Sequence, residues 1–252
     1  MPEREHDHDA LSRRQAIAKG IRLIGAGSIG VALTGCASAK RSSFTLLNAQ
    51  ERARLREPIA VRPYRPKATT NAPSWSPGGG LTNAIPRSSW AGGNPVPALM
   101  DRMKPINKIT IHHDGMTSFT STSRAAGAHR VENIRAAHRG QNWGDVGYHY
   151  LIDPTGRVWE GRPLVWQGAH VGGQNDGNIG ICVMGNFERQ YPNSAQLRAV
   201  EDSVAQLMRV NNIHVREVRT HREMAATACP GRNLQPRLVA MRSNRGALSR
   251  VT

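Results

Sequence analysis

Three cysteines in 252 residues, Cys36, Cys182 and Cys229, are too few for a disulfide framework. The apolar, Gly-rich stretch from Ile21 to Gly35 is broken by Arg22 and falls short of a comfortable membrane-spanning helix. No internal repeat is visible, so repeat architectures are set aside. Acidic side chains are scarce: 18 stand against 34 Lys and Arg, a formal charge of +16. That imbalance favours anionic partners, whether nucleic acid, anionic lipid or the carboxylates and phosphates of a cell wall. Neither zinc-finger spacing nor an aromatic-interleaved basic motif accompanies the charge, which argues against nucleic acid. The hydrophobic share is a modest 38%, and the apolar runs cluster between about Ile85 and Leu248. One core is expected there, behind a poorly packed N-terminal third.

The first twenty residues are polar and charged, and Ile21 to Gly35 fits the apolar region of a signal peptide. Arg13-Arg14 ahead of it resembles a twin-arginine export signal, although Ala16 stands where that pattern favours Phe. Leu33-Thr34-Gly35-Cys36 resembles a bacterial lipoprotein box, which implies lipidation at Cys36 and a membrane anchor. Without residues 1–35 the chain keeps 29 basic and 14 acidic residues, so it stays at +15. Residues 36–84 read as a flexible basic tether rich in Pro, Ser and Gly, within which Ala49 to Glu57 can form a short helix. About fifty such residues reach on the order of 40 Å. The expectation is therefore an export signal over 1–35, a tether over 36–84 and a folded domain over 85–252. The protein would be exported and anchored, facing the periplasm or cell wall, as a monomer.

Within the domain, Ile106 to His112 is apolar and β-branched and predicts a central strand. The Ser/Thr-rich turn from Thr117 to Ser123 can cap a helix over about Arg124 to Arg139. Strands Tyr148–Ile152 and Arg157–Gly161 flank Asp153-Pro154-Thr155-Gly156, a hairpin turn. After the Gly/Asn-rich loop 168–178, Ile179–Met184 reads as a fully buried strand. Ser194 is expected to cap a helix reaching about Asn211, with Leu197, Val200, Val204, Leu207 and Met208 on one face. A short strand near Val215–Arg219 and a last helix from Leu234 to about Ser243 complete the domain. Uneven alternation of strands and helices predicts an α/β fold, a central mixed β-sheet flanked by helices.

The chemistry concentrates in the loop Val218 to Gly231. It carries His221 and Cys229, a nitrogen and a sulfur ligand that can converge on one Zn²⁺. A third ligand can come from the end of the strand Ile109-Thr110-Ile111-His112-His113. Strand alternation sends those two histidines to opposite faces, so one can bind metal while the other lines a groove or meets solvent. Three ligands leave a fourth tetrahedral position open, the arrangement of a catalytic centre. A tyrosine at a strand start, such as Tyr148, is usually packing, but beside zinc its phenol can donate to a developing oxyanion. Thr227, two residues before Cys229, can face the same side as the sulfur or bond its own turn. His170 sits in a flexible loop, where a surface role is the default.

Six blocks in order carry a resemblance: Ile109-Thr110-Ile111-His112-His113; Trp143-Gly144-Asp145-Val146-Gly147-Tyr148-His149-Tyr150-Leu151-Ile152; Asp153-x-x-Gly156 with Trp159-Glu160-Gly161-Arg162; Gly168-Ala169-His170; Asn178-Ile179-Gly180-Ile181-Cys182; and His221-Arg222-Glu223 with Thr227-x-Cys229-Pro230-Gly231. Arg87-Ser88-Ser89-Trp90 adds an Arg-x-x-Trp opening. Over about Ile85 to Arg242 the chain resembles the zinc-dependent N-acetylmuramoyl-L-alanine amidases, related to phage amidases and to peptidoglycan recognition proteins. The resemblance implies Zn²⁺ held by His112, His221 and Cys229, with Tyr148 and Thr227 as catalytic residues. It places His113, His138 and His170 along the groove for glycan and peptide, so the partner would be peptidoglycan or muropeptides. Relatives that lack the thiol bind peptidoglycan without cutting it; this chain keeps Cys229. Relatives confined to anhydro-muropeptide fragments generally show Asp there, which makes that narrower role the lesser alternative.

Overall fold

The structure, a computed structural model, describes residues 78–251. The export signal, the lipoprotein box at Cys36 and the helix expected over 49–57 lie outside the described residues. Residues 78–84, at the end of the Pro/Ser/Gly-rich stretch, are packed on the domain. Leu81 donates its N–H to the Tyr150 hydroxyl at 3.0 Å, and Asn211 donates its side-chain amide to the Gly79 carbonyl at 2.9 Å.

Five strands form one mixed sheet: β1 (Lys108–His113), β2 (Tyr150–Ile152), β3 (Val158–Glu160), β4 (Asn178–Val183) and β5 (Val218–Thr220), in the order β3-β2-β4-β1-β5. Only β3 runs antiparallel, through the hairpin from β2. The turn forms because the Asp153 carboxylate accepts from the Thr155 and Arg157 amides while Gly156 takes a φ of +83°, which a side chain would resist. The remaining pairs are parallel and need long crossover connections. The crossover from β1 to β2 is α1 (Arg124–Gly140), started by the Ser123 hydroxyl accepting from the Ala126 amide. The crossover from β4 to β5 is α2 (Ser194–Asn211). Its cap is Asn193, not Ser194: Asn193 holds an extended backbone and exchanges side-chain bonds with Gln196, which leaves Ser194 as the first helical residue. A last helix, α3, spans Gln235–Arg242.

Helices on both faces explain why β4 is buried along its whole length. Ile109, Ile111, Ile179 and Ile181 pack on one face with Val200, Val204 and Leu207 of α2 and Leu238 of α3. Leu151, Trp159 and Cys182 pack on the other with Val131 and Ile134 of α1. Three of the expected strands shrink to three residues each. β2 begins at Tyr150, and a 3-10 turn over Val215–Glu217, capped by the His214 ring, delays β5 to Val218. Among the described residues no helix is long and apolar enough to cross a membrane.

Candidate metal centre

The parallel register builds the centre. Ile111 pairs with Thr220, so the next residues, His112 and His221, stand side by side where β5 gives way to a 3-10 turn over His221–Glu223. Their rings lie 4.6 Å apart between centroids. The loop then returns Cys229 to the end of β1, where its sulfur takes the His113 amide at 3.4 Å and sits 3.6 Å from His112 Nδ1. One ligand atom from each of His112, His221 and Cys229 lies within 4.8 Å of the others. Two imidazoles and a thiol converging in this way suit a borderline-soft divalent ion, zinc above all.

Electrostatics set the protonation states. Burial holds the His112 imidazole well below its ordinary range, helped by His170 and His221, and burial also lowers His221. Both are therefore neutral at pH 7, with lone pairs to offer. Burial pushes the Cys229 thiol up to about 12, against the His113 amide bond and the Arg222 charge. A metal must displace that proton to gain the thiolate.

Tyr148 borders the cluster, its ring 5.2 Å from that of His112. Burial raises its phenol well above the ordinary value, so it remains a donor at neutral pH. Among the described residues its hydroxyl has no hydrogen-bond partner. The segment leading to Tyr148 is clamped from beneath: Arg87 pairs with Asp145 at 2.9 Å, and Arg162 donates to the carbonyls of Asp145, Val146 and Gln167. Thr227 accepts from the Cys229 amide at 3.2 Å, which serves its turn and leaves the hydroxyl proton to donate.

His138 reaches the same side. Its Nδ1 accepts from the Gly147 amide at 2.9 Å, its ring lies 5.6 Å from Tyr148, and burial with the nearby Arg162 charge brings it down to about 4. His170 is also present, but as a buried neighbour of His112 rather than along an open groove; its Nδ1 is 3.1 Å from His112 Nε2. His113 is not brought to the cluster. Strand alternation turns it to the opposite face, where its ring stacks on Phe187 and accepts that residue's amide. His149, which sequence reasoning gave no role, is fully buried and braces the floor by accepting from the Gly180 amide and donating to the Trp166 carbonyl. Its place immediately before a buried strand was the available signal.

A family model described as N-acetylmuramoyl-L-alanine amidase matches residues 102–232. Peptidoglycan-recognition protein SD of Drosophila simulans is 31% identical over 152 residues, covering 60% of this chain and 81% of that protein. The human N-acetylmuramoyl-L-alanine amidase is 31% identical over 134 residues, covering 50% of this chain and 23% of that protein. Among solved structures, peptidoglycan recognition protein-LE in complex with tracheal cytotoxin, a monomeric diaminopimelic acid-type peptidoglycan, superposes with a TM-score of 0.56. Its identity is 26%, and the match covers 62% of this chain and 92% of that one.

Proposed function

The chain belongs to the N-acetylmuramoyl-L-alanine amidase family, and from that premise we propose that it hydrolyses the amide joining N-acetylmuramic acid to L-alanine of a peptidoglycan stem peptide. The observation that carries this reading is the convergence of the His112, His221 and Cys229 ligand atoms within 4.8 Å beside Tyr148. These three residues would hold Zn²⁺. When bound, the ion supplies Lewis acidity toward the amide carbonyl and toward water.

The chain's own residues do the rest. His112 and His221 would bind the ion as neutral imidazoles and Cys229 as a thiolate, so the ligand set would carry one negative charge. Tyr148, kept as a phenol by burial, donates its O–H toward the carbonyl oxygen as negative charge develops there. Thr227 offers a second hydroxyl proton from the loop wall. His138 has spent Nδ1 on Gly147 and keeps Nε2–H to bind substrate. The excess of basic side chains suits a stem peptide rich in carboxylates.

Export fits this substrate. The twin-arginine-like start and the lipoprotein box at Cys36 support a membrane-anchored enzyme that meets the wall through its tether. Mutating Arg13-Arg14 and following the folded protein's location tests the route. The activity itself is tested by mass analysis of what purified sacculi and muropeptides release. Free stem peptides beginning with L-alanine, lost on chelation and restored by Zn²⁺, are the expected products. Binding without release by zinc-replete protein would make the groove a receptor.

A further inference from the structure

His170 has both ring nitrogens committed inside the protein, which leaves its ring no polar atom for a substrate. Nε2 lies 3.2 Å from the Asn178 carbonyl oxygen. A carbonyl only accepts, so this nitrogen carries the hydrogen. The neutral imidazole then has a lone pair at Nδ1, and that atom faces His112 Nε2 at 3.1 Å. His112 must supply the hydrogen between the rings. Its own Nδ1, the atom 3.6 Å from Cys229 Sγ, is left as the lone pair turned into the cluster.

We propose that His170 is a positioning residue: it transmits the direction of the Asn178 carbonyl through two imidazoles and fixes His112 as the Nε2–H tautomer that presents Nδ1 to the metal. This inference rests on the reading of His112 as a ligand. Metal-bound histidines generally anchor their second nitrogen on an oxygen acceptor, which sets ring orientation and tautomer. Here a second imidazole is inserted between ligand and carbonyl.

The local backbone is built around that ring. A Cβ added at Gly168 would lie 2.4 Å from His170 Cδ2, and one added at Gly180 would lie 2.5 Å from the same atom, so the ring is clamped between two main chains. The Asn175 side chain accepts the amides of both His170 and Val171. The Asn178 side chain accepts from the Thr110 hydroxyl and donates to the Gln174 carbonyl, which holds the anchoring carbonyl in place. The rings of His112 and His170 meet nearly edge-on, at 79° and 5.0 Å. Only 8% of His170 is exposed.

The test pairs zinc affinity, read by competition with a chelating indicator on the full chain, with ¹⁵N–¹H spectra of the imidazoles. His170→Leu removes the acceptor and should weaken zinc binding by about 10–100-fold. His170→Asn restores an acceptor near the position of Nδ1 and should recover most of that loss. Zinc binding by the Leu variant as tight as in the wild type would overturn the proposal. The spectra of the unaltered protein decide the matter even if the Leu variant fails to fold. Hydrogen on Nε2 of both His112 and His170 is expected, and hydrogen on Nδ1 of either overturns it. A wild type with the expected tautomers that takes up no zinc would instead refute the metal centre itself.

Discussion

The two walls of the candidate metal centre are made differently. One grows from the sheet: His112 is an inner residue of β1, wired through His170 to the backbone of β4, with His149 beneath and Tyr148 on a segment clamped by Arg87 and Arg162. The other is a loop, 221–231, carrying His221, Thr227 and Cys229, all half-buried. Its ties are more exposed. Arg222 donates to the Ala228 carbonyl, Glu223 pairs with Arg242, and Gln174 donates to the Met224 carbonyl. A prearranged imidazole thus faces candidate ligands on a more exposed loop, an arrangement that would suit a centre completed by its metal.

Damage should therefore differ between the walls, beginning with the sheet side. Asp145→Ala would leave the Arg87 guanidinium buried without its partner and should cost about 3–5 kcal/mol, measured by urea denaturation. Tyr148→Phe, on the same wall, should lower turnover by about 10²–10³ while zinc affinity holds; an equal fall in zinc content would mean that the phenol supports the site rather than the reaction.

The pH response should also come from the sheet side. Burial brings the His149 imidazole down to about 4, against an ordinary value of 6.5. Between those values the unfolded chain holds the extra proton, so stability rises with pH across that window and levels off above it. The contribution of this one residue is on the order of 3 kcal/mol. In metal-free protein, His149→Gln should reduce the slope of stability against pH by about one proton between pH 4 and 6.5, and an unchanged slope would contradict the assignment. On the loop wall, Glu223→Ala breaks a half-exposed pair with Arg242 and its bonds to Thr220. It should cost only about 1 kcal/mol, with a few-fold loss in zinc affinity as the clearer sign.

What could be read from the sequence follows the same division. Strand periodicity placed β1 and β4, and the resemblance chose His112, His221 and Cys229, which the structure brings together. Alternation said that His112 and His113 part company, but only the packing of α2 and α3 says which face is which. The role of His170 was hidden because it depends on how loop 168–178 closes against β4, a contact with no local signature. The Asn193 cap was missed by one residue because Asn193 and Ser194 are both good caps, and the Gln at 196 completes the box with the former. The packing of residues 78–84 on the domain, through Gly79 and Leu81, was hidden by a composition that reads as linker.

Whether this site cuts the amide or only holds the glycopeptide decides its function. That is tested most directly by following binding and cleavage of one muropeptide side by side in the wild type and in Cys229→Ala. The wild type should bind and release an L-alanine-terminated peptide, whereas the variant should lose zinc and cleavage together and still bind. Equal cleavage by both, or binding without cleavage by both, would contradict the zinc-amidase reading.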